Sequence, residues 1–125
     1  MSAILVVDDE PAIRELLALS FEEAGFTVFA AGNGREALHI WHFHQDEIDL
    51  VLSDVVMPGM DGRTLAMKLL AERPGLPVLL TSGSCAELDL GSHETIHFLA
   101  KPFDLANLVG TVQMLVAQRS SVNAA

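Results

Sequence analysis

Five short runs rich in Val, Ile, Leu and Phe recur along the chain, and the segments between them repeat apolar residues at helical spacing. The runs are AILVV (Ala3 to Val7), FTVFAAG (Phe26 to Gly32), IDLVLSD (Ile48 to Asp54), LPVLLTSG (Leu76 to Gly83) and IHFLA (Ile96 to Ala100). Between the first two, Pro11 suits a first helical position, Ile13, Leu16, Leu17, Phe21 and Ala24 share a face, and Gly25 stops the helix. GREALHIWHFHQ predicts a second helix with Ala37, Leu38, Trp41 and Phe43 as candidates for its inward side. DGRTLAMKLLAERPG predicts a third, with Leu65, Met67, Leu69 and Leu70 as its apolar content and Pro74-Gly75 as its end. DLANLVGTVQMLVAQR predicts the last, on Leu105, Leu108, Val109, Val112, Leu115 and Val116.

Strands that alternate with helices and are nearly continuous in apolar residues imply an α/β fold: a parallel sheet covered on both sides. One interval is weak. GSCAELDLGSHET (Gly83 to Thr95) lies where a fourth helix belongs, but Gly91 and Ser92 interrupt its pattern, so a short helix and an irregular loop both remain open. SSVNAA at the end has the look of a tail, which divides the chain into a domain over residues 1–119 and a tail over 120–125.

With 125 residues, half of them apolar, the chain is one domain able to build a core without staples. Its net charge of −10 argues against direct nucleic-acid binding, which needs a basic patch. A single cysteine, Cys85, excludes an internal disulfide and suits the reducing cytosol, and in a Gly/Ser loop it reads as inert. The N-terminus has no basic region, and its apolar run is too short for a leader or a membrane span, so a cytoplasmic location without membrane contact is expected.

The chemistry lies at the strand ends. A strand buried on both faces has no structural use for an acid at its tip, yet the third ends at Asp54 and the first at Asp8 and Asp9. In an open parallel sheet, ligands bind beyond the carboxyl ends of the strands. If strands one and three are neighbours, three carboxylates converge, and their repulsion calls for a cation. Oxygen ligands alone suit a hard ion such as Mg²⁺, which keeps several of its waters. Helix capping would account for one of Asp8 and Asp9, but not for both together with Asp54. Strand four ends in the hydroxyl of Ser82 and strand five is followed by Lys101, whose bond to Pro102 is a candidate for cis geometry. His39, His42 and His44 read as a solvated face rather than a metal site.

VVDDE followed by Pro11, LSDVVMPGMDG, PVLLTSG and FLAKPF, in this order, resemble the receiver domain of two-component response regulators, of the chemotaxis-regulator type. The resemblance runs from Ile4 to about Arg119. It implies a flavodoxin-like, doubly wound five-stranded sheet of order 2-1-3-4-5 in a (βα)5 sandwich, here with a short or irregular fourth helix. It also implies that Asp54 accepts a phosphoryl group from a histidine kinase or a histidine phosphotransfer protein. Asp9 would bind Mg²⁺ directly and Asp8 through water, with Asp54 and the backbone carbonyl of Val56 completing the set. Lys101 would pair with the phosphoryl oxygens, and Ser82 would be the switch hydroxyl. Phe98 stands at the position of the switch aromatic without a tyrosine's hydroxyl, and a core Phe explains it equally well. Val56 and Ser84 fall where the family tunes hydrolysis of the acyl phosphate, and an apolar Val cannot orient water.

The resemblance thus implies a phosphoacceptor signalling domain rather than an enzyme acting on external substrates, acting on a downstream target or output domain. Nothing follows the last helix, so a free-standing regulator and an excised receiver are both expected readings, and Met1 favours an N-terminal or free-standing one. A Mg²⁺-dependent phosphohydrolase with an aspartyl nucleophile is the alternative, but it would carry an acid where Val56 stands. A receiver-like interaction module that is no longer phosphorylated is a third, against which the full set of Asp8, Asp9, Asp54, Ser82 and Lys101 argues.

Overall fold

The computed structural model describes residues 2–83 and 95–124. Five parallel strands form one sheet: β1 (Ala3–Val7), β2 (Thr27–Ala31), β3 (Ile48–Asp54), β4 (Val78–Ser82) and β5 (Ile96–Ala100), in the order β2-β1-β3-β4-β5. The helices are α1 (Pro11–Glu23), α2 (Gly34–His44), α3 (Gly62–Glu72) and α4 (Leu105–Ala124). This is the flavodoxin-like topology that the resemblance to receiver domains implies. The strand order reverses between β1 and β3, which opens a crevice at their carboxyl ends.

Successive strand residues point to opposite faces, so each central strand feeds two cores. Ile4, Val6, Leu50, Leu52 and Leu79 meet Leu17 and Phe21 of α1 and Leu108, Val112 and Leu115 of α4. Leu5, Val7, Val51 and Leu80 meet Ala37 and Trp41 of α2 and Leu65 and Leu69 of α3. β1 and β4 are buried throughout, whereas the edge strands β2 and β5 are mostly half-exposed.

Local chemistry starts and stops the helices where the pattern predicts. Pro11 occupies the first position of α1, and Gly25 follows its end at φ 97°. α2 and α3 begin alike: Asn33 accepts from the Glu36 N–H and Asp61 from the Thr64 N–H, both at 2.8 Å. Leu16 and Phe43, candidates for inward faces, are 46 % and 73 % exposed, and Met67, part of the apolar content of α3, is 55 % exposed. At about 100° per residue, Phe43 lies far round α2 from Ala37 and Trp41, Met67 far round α3 from Leu65 and Leu69, and Leu16 off the line of Leu17 and Phe21 in α1. Residues 120–124, expected as a tail, continue α4. Nothing in SSVNA breaks a helix, since it holds neither Pro nor Gly. Of the weak interval Gly83 to Thr95, residues 84–94 lie outside the described residues, and with them Ser84, Cys85, Gly91 and Ser92. No helix among the described residues is long and apolar enough to cross a membrane.

Candidate functional site

Register places the acids. Val7 of β1 pairs with Ser53 of β3, so Asp8 and Asp54 leave adjacent strands at the same level. One carboxylate oxygen from each of Asp8, Asp9 and Asp54 lies within 4.8 Å of the others. Asp54 pairs with Thr81 of β4, which sets Ser82 one residue beyond it, and Ser82 pairs with Ala100, which sets Lys101 beyond the end of β5. The Lys101 ammonium donates to Asp54 Oδ2 at 2.9 Å, and its backbone N–H donates to the Ser82 carbonyl at 2.7 Å. The Lys101–Pro102 bond is cis. Four strands therefore deliver Asp8, Asp9, Asp54, Ser82 and Lys101 to one end of the sheet.

Capping is separated from the rest here. Asp8 Oδ1 accepts the Glu10 N–H at 2.9 Å just before α1, so one acid does serve the turn. Asp9 is exposed and makes no such bond among the described residues, which leaves its carboxylate to the cluster. Burial holds the Asp8 carboxyl above the ordinary carboxylate range; the Glu10 N–H and Lys101 oppose this, and the charges of Asp54 and Asp9 add to it. Burial alone would lower Lys101, yet the bond to Asp54 and the charges of Asp54, Asp8 and Glu10 outweigh it and hold the ammonium above its usual value. Converging oxygens around a carboxyl that resists ionisation fit a small hard cation, and Mg²⁺ meets that description.

The loop after β3 shapes the other wall. The Val55 N–H donates to the Thr81 carbonyl at 2.9 Å, and the Gly62 N–H donates to the Val55 carbonyl at 2.8 Å. Val56 turns its side chain outward, 57 % exposed, so its methyls face solvent beside the acids. Ser82 is buried. Phe98 is half-buried against the core that α2 and α3 share, level with Leu80.

Two contributors escaped sequence reasoning. Arg14 of α1 donates to the Asp8 carbonyl at 2.8 Å, fixing the turn that carries both acids. A Cβ on Gly62 would stand 2.2 Å from the Asp54 carbonyl oxygen, so only glycine lets α3 start against the acid's own backbone. The signal for Gly62 was in plain view, since it closes the MPGMDG string; Arg14 carried none, being one more polar residue of an amphipathic helix. The histidines of α2 stay apart from this centre. His42 meets Glu72 at 3.2 Å, His44 meets Glu47 at 2.6 Å, and His39 packs edge-on to Phe43.

Comparison with known proteins agrees with this geometry. The family described as response regulator receiver domain matches residues 4–113. The sensor kinase CckA of Brucella abortus (strain 2308) is 36 % identical over 121 residues, covering 94 % of this chain and 13 % of the kinase. The response regulator MprA of Mycolicibacterium vanbaalenii is 37 % identical over 119 residues, covering 90 % of this chain and 49 % of that protein. The chain thus spans about half or less of the length of these relatives. The solved chemotaxis protein CheY4 of Vibrio cholerae superposes with a TM-score of 0.79 at 30 % identity, covering 92 % of this chain and 98 % of that one.

Proposed function

The chain belongs to the family of response regulator receiver domains, and from that premise we propose that it accepts a phosphoryl group on Asp54 and signals by the change that follows. The observation that carries the reading is the Lys101–Asp54 pair at 2.9 Å inside a cluster of three carboxylates. Lys101 holds Oδ2, leaving Oδ1 to attack phosphorus. The phosphorus–nitrogen bond of a donor phosphohistidine breaks as the new phosphorus–oxygen bond forms, and the histidine nitrogen keeps the electron pair. Lys101 then shifts its charge onto the phosphoryl oxygens, where a fixed ammonium stabilises more than in water. Asp8, Asp9 and Asp54, with the Val56 backbone carbonyl, would hold Mg²⁺, which offsets charge on the transferring group. Positioning by Arg14 and Gly62 supplies the rest.

The donor is a histidine kinase or a histidine phosphotransfer protein in the cytoplasm, and the recipient of the signal is a downstream protein or an output domain. Relatives named as a sensor kinase and a response regulator support that placement. Ser82 and Phe98 are the switch pair: the buried hydroxyl donates to the new phosphoryl group, and the half-buried ring follows into the space it leaves.

Mass spectrometry after incubation with acetyl phosphate and Mg²⁺ tests the reading. The parent protein gains one phosphoryl group and Asp54→Asn gains none. A parent that stays unmodified, or a variant that is modified as fully, refutes it.

A further inference from the structure

We propose that Gly34, on the neighbouring helix and outside the acidic centre, is a positioning residue for the phosphoryl-accepting loop, acting through Met60. Gly34 is the first residue of α2 and is buried. Its φ is not in the left-handed region, so the backbone does not require glycine there. Its neighbour does. A Cβ on Gly34 would lie 2.8 Å from Met60 Sδ, 2.9 Å from Met60 Cβ and 3.1 Å from Met60 Cγ. Rotating the thioether away would relieve the contact with Sδ but not that with Cβ, which moves only with the loop backbone.

That backbone is the stretch between Asp54 and α3. Its two ends are fixed: Val55 is bonded to Thr81 and Gly62, and Gly62 stands against the Asp54 carbonyl. Met57 is buried in the core below, so the loop cannot sink. Beside it lies an open cavity of about 630 Å³, bordered by Asp9, Gly34, Arg35, Pro58, Gly59 and Met60. Pressure from α2 on Met60 therefore displaces the Pro58 to Met60 wall of that cavity, which Asp9 also borders. The carbonyl of Val56 and the carboxylate of Asp54 lie at the hinge of that movement. The missing side chain of Gly34 thus sets the height of the loop over the acids, and α2 becomes part of the site without touching it.

This inference rests on the phosphoacceptor reading of Asp54, and its test separates the two. Parent, Gly34→Ala, Met60→Gly and the double variant are compared by backbone NMR, for the Val56–Asp61 amide shifts and the Mg²⁺ dissociation constant, and by the rate of phosphoryl uptake from acetyl phosphate. Gly110→Ala, where a Cβ meets nothing within 4 Å, is the control for glycine replacement in a helix. Gly34→Ala shifts the loop amides and weakens both Mg²⁺ binding and phosphoryl uptake about tenfold, in line with displacements of a fraction of an ångström. Its melting temperature falls, because overpacking against Met60 outweighs alanine's small gain as a helix former, whereas that of Gly110→Ala does not fall. With Met60→Gly present, the same substitution changes nothing further. Should Gly34→Ala not fold, Met60→Gly alone decides, by weakening Mg²⁺ binding several-fold as the loop loses its stop against α2. If the parent takes up no phosphoryl group, the reading of Asp54 fails, and the loop shifts and Mg²⁺ constants still decide the coupling. Unchanged shifts and Mg²⁺ affinity in Gly34→Ala, an equal loss with and without Met60, or an unaltered Met60→Gly protein when it alone decides, overturns the proposal.

Discussion

At the rim where the strands begin, Asp49 accepts the Ala3 N–H at 2.9 Å, and Arg73 donates to the Ile48 carbonyl while its guanidinium stacks 4.7 Å above the Trp41 ring. At the rim where they end, Asp8, Asp9 and Asp54 converge, and Lys101 is bonded to one of them. Both rims belong to the same sheet and carry charged side chains. At the first, an acid meets a backbone donor and a base meets a backbone acceptor, so polar groups close the fold. At the second, acids face acids, and burial raises one of them further. Like charges gathered beside a crevice make this rim the candidate for the chemistry proposed above.

Substitutions at the two rims should therefore fail in different ways. Trp41→Ala removes a fully buried ring and is expected to cost about 3–5 kcal/mol in denaturant unfolding. Arg73→Ala follows at about 1–3 kcal/mol, because it strips the Ile48 carbonyl of its donor. In both, Mg²⁺ affinity of the folded protein stays at the parent level; a parallel loss of binding would erase the distinction between the rims. Asp61→Ala costs less, about 1 kcal/mol, through the cap of α3. The Thr64 N–H holds the Asp61 carboxyl below its ordinary value of 3.8. That contribution is full above the unfolded value and fades as the pH falls through the lowered folded one, so parent and variant should converge in acid-unfolding curves. Smallest in stability is Asp9→Asn, within about 0.5 kcal/mol without metal.

Much of this contrast was legible in the sequence. Apolar runs ending in Asp8, Asp9, Asp54, Ser82 and preceding Lys101 announced both the parallel sheet and the rim on which these side chains converge, because strand periodicity and strand ends are local properties. Gly34 was not legible. Its importance lies in Met60, 26 positions away in the chain and brought close only when α2 and the loop after β3 pack together. Arg14 escaped for the same reason, since a backbone carbonyl as partner leaves no trace in the sequence. Leu16, Phe43 and Met67 show the converse: an apolar residue off the buried face of its helix stays exposed, so apolar character alone does not mark the core.

The central claim, that the converging acids are held for a cation, is tested most directly by thermal unfolding with and without Mg²⁺ in the parent and in Asp9→Asn. Binding to the folded state alone stabilises it, by about 1.4 kcal/mol when free Mg²⁺ is tenfold above its dissociation constant. The account predicts that the melting temperature of the parent rises with Mg²⁺ and that of Asp9→Asn does not. An equal rise in both proteins, or none in the parent, would contradict it.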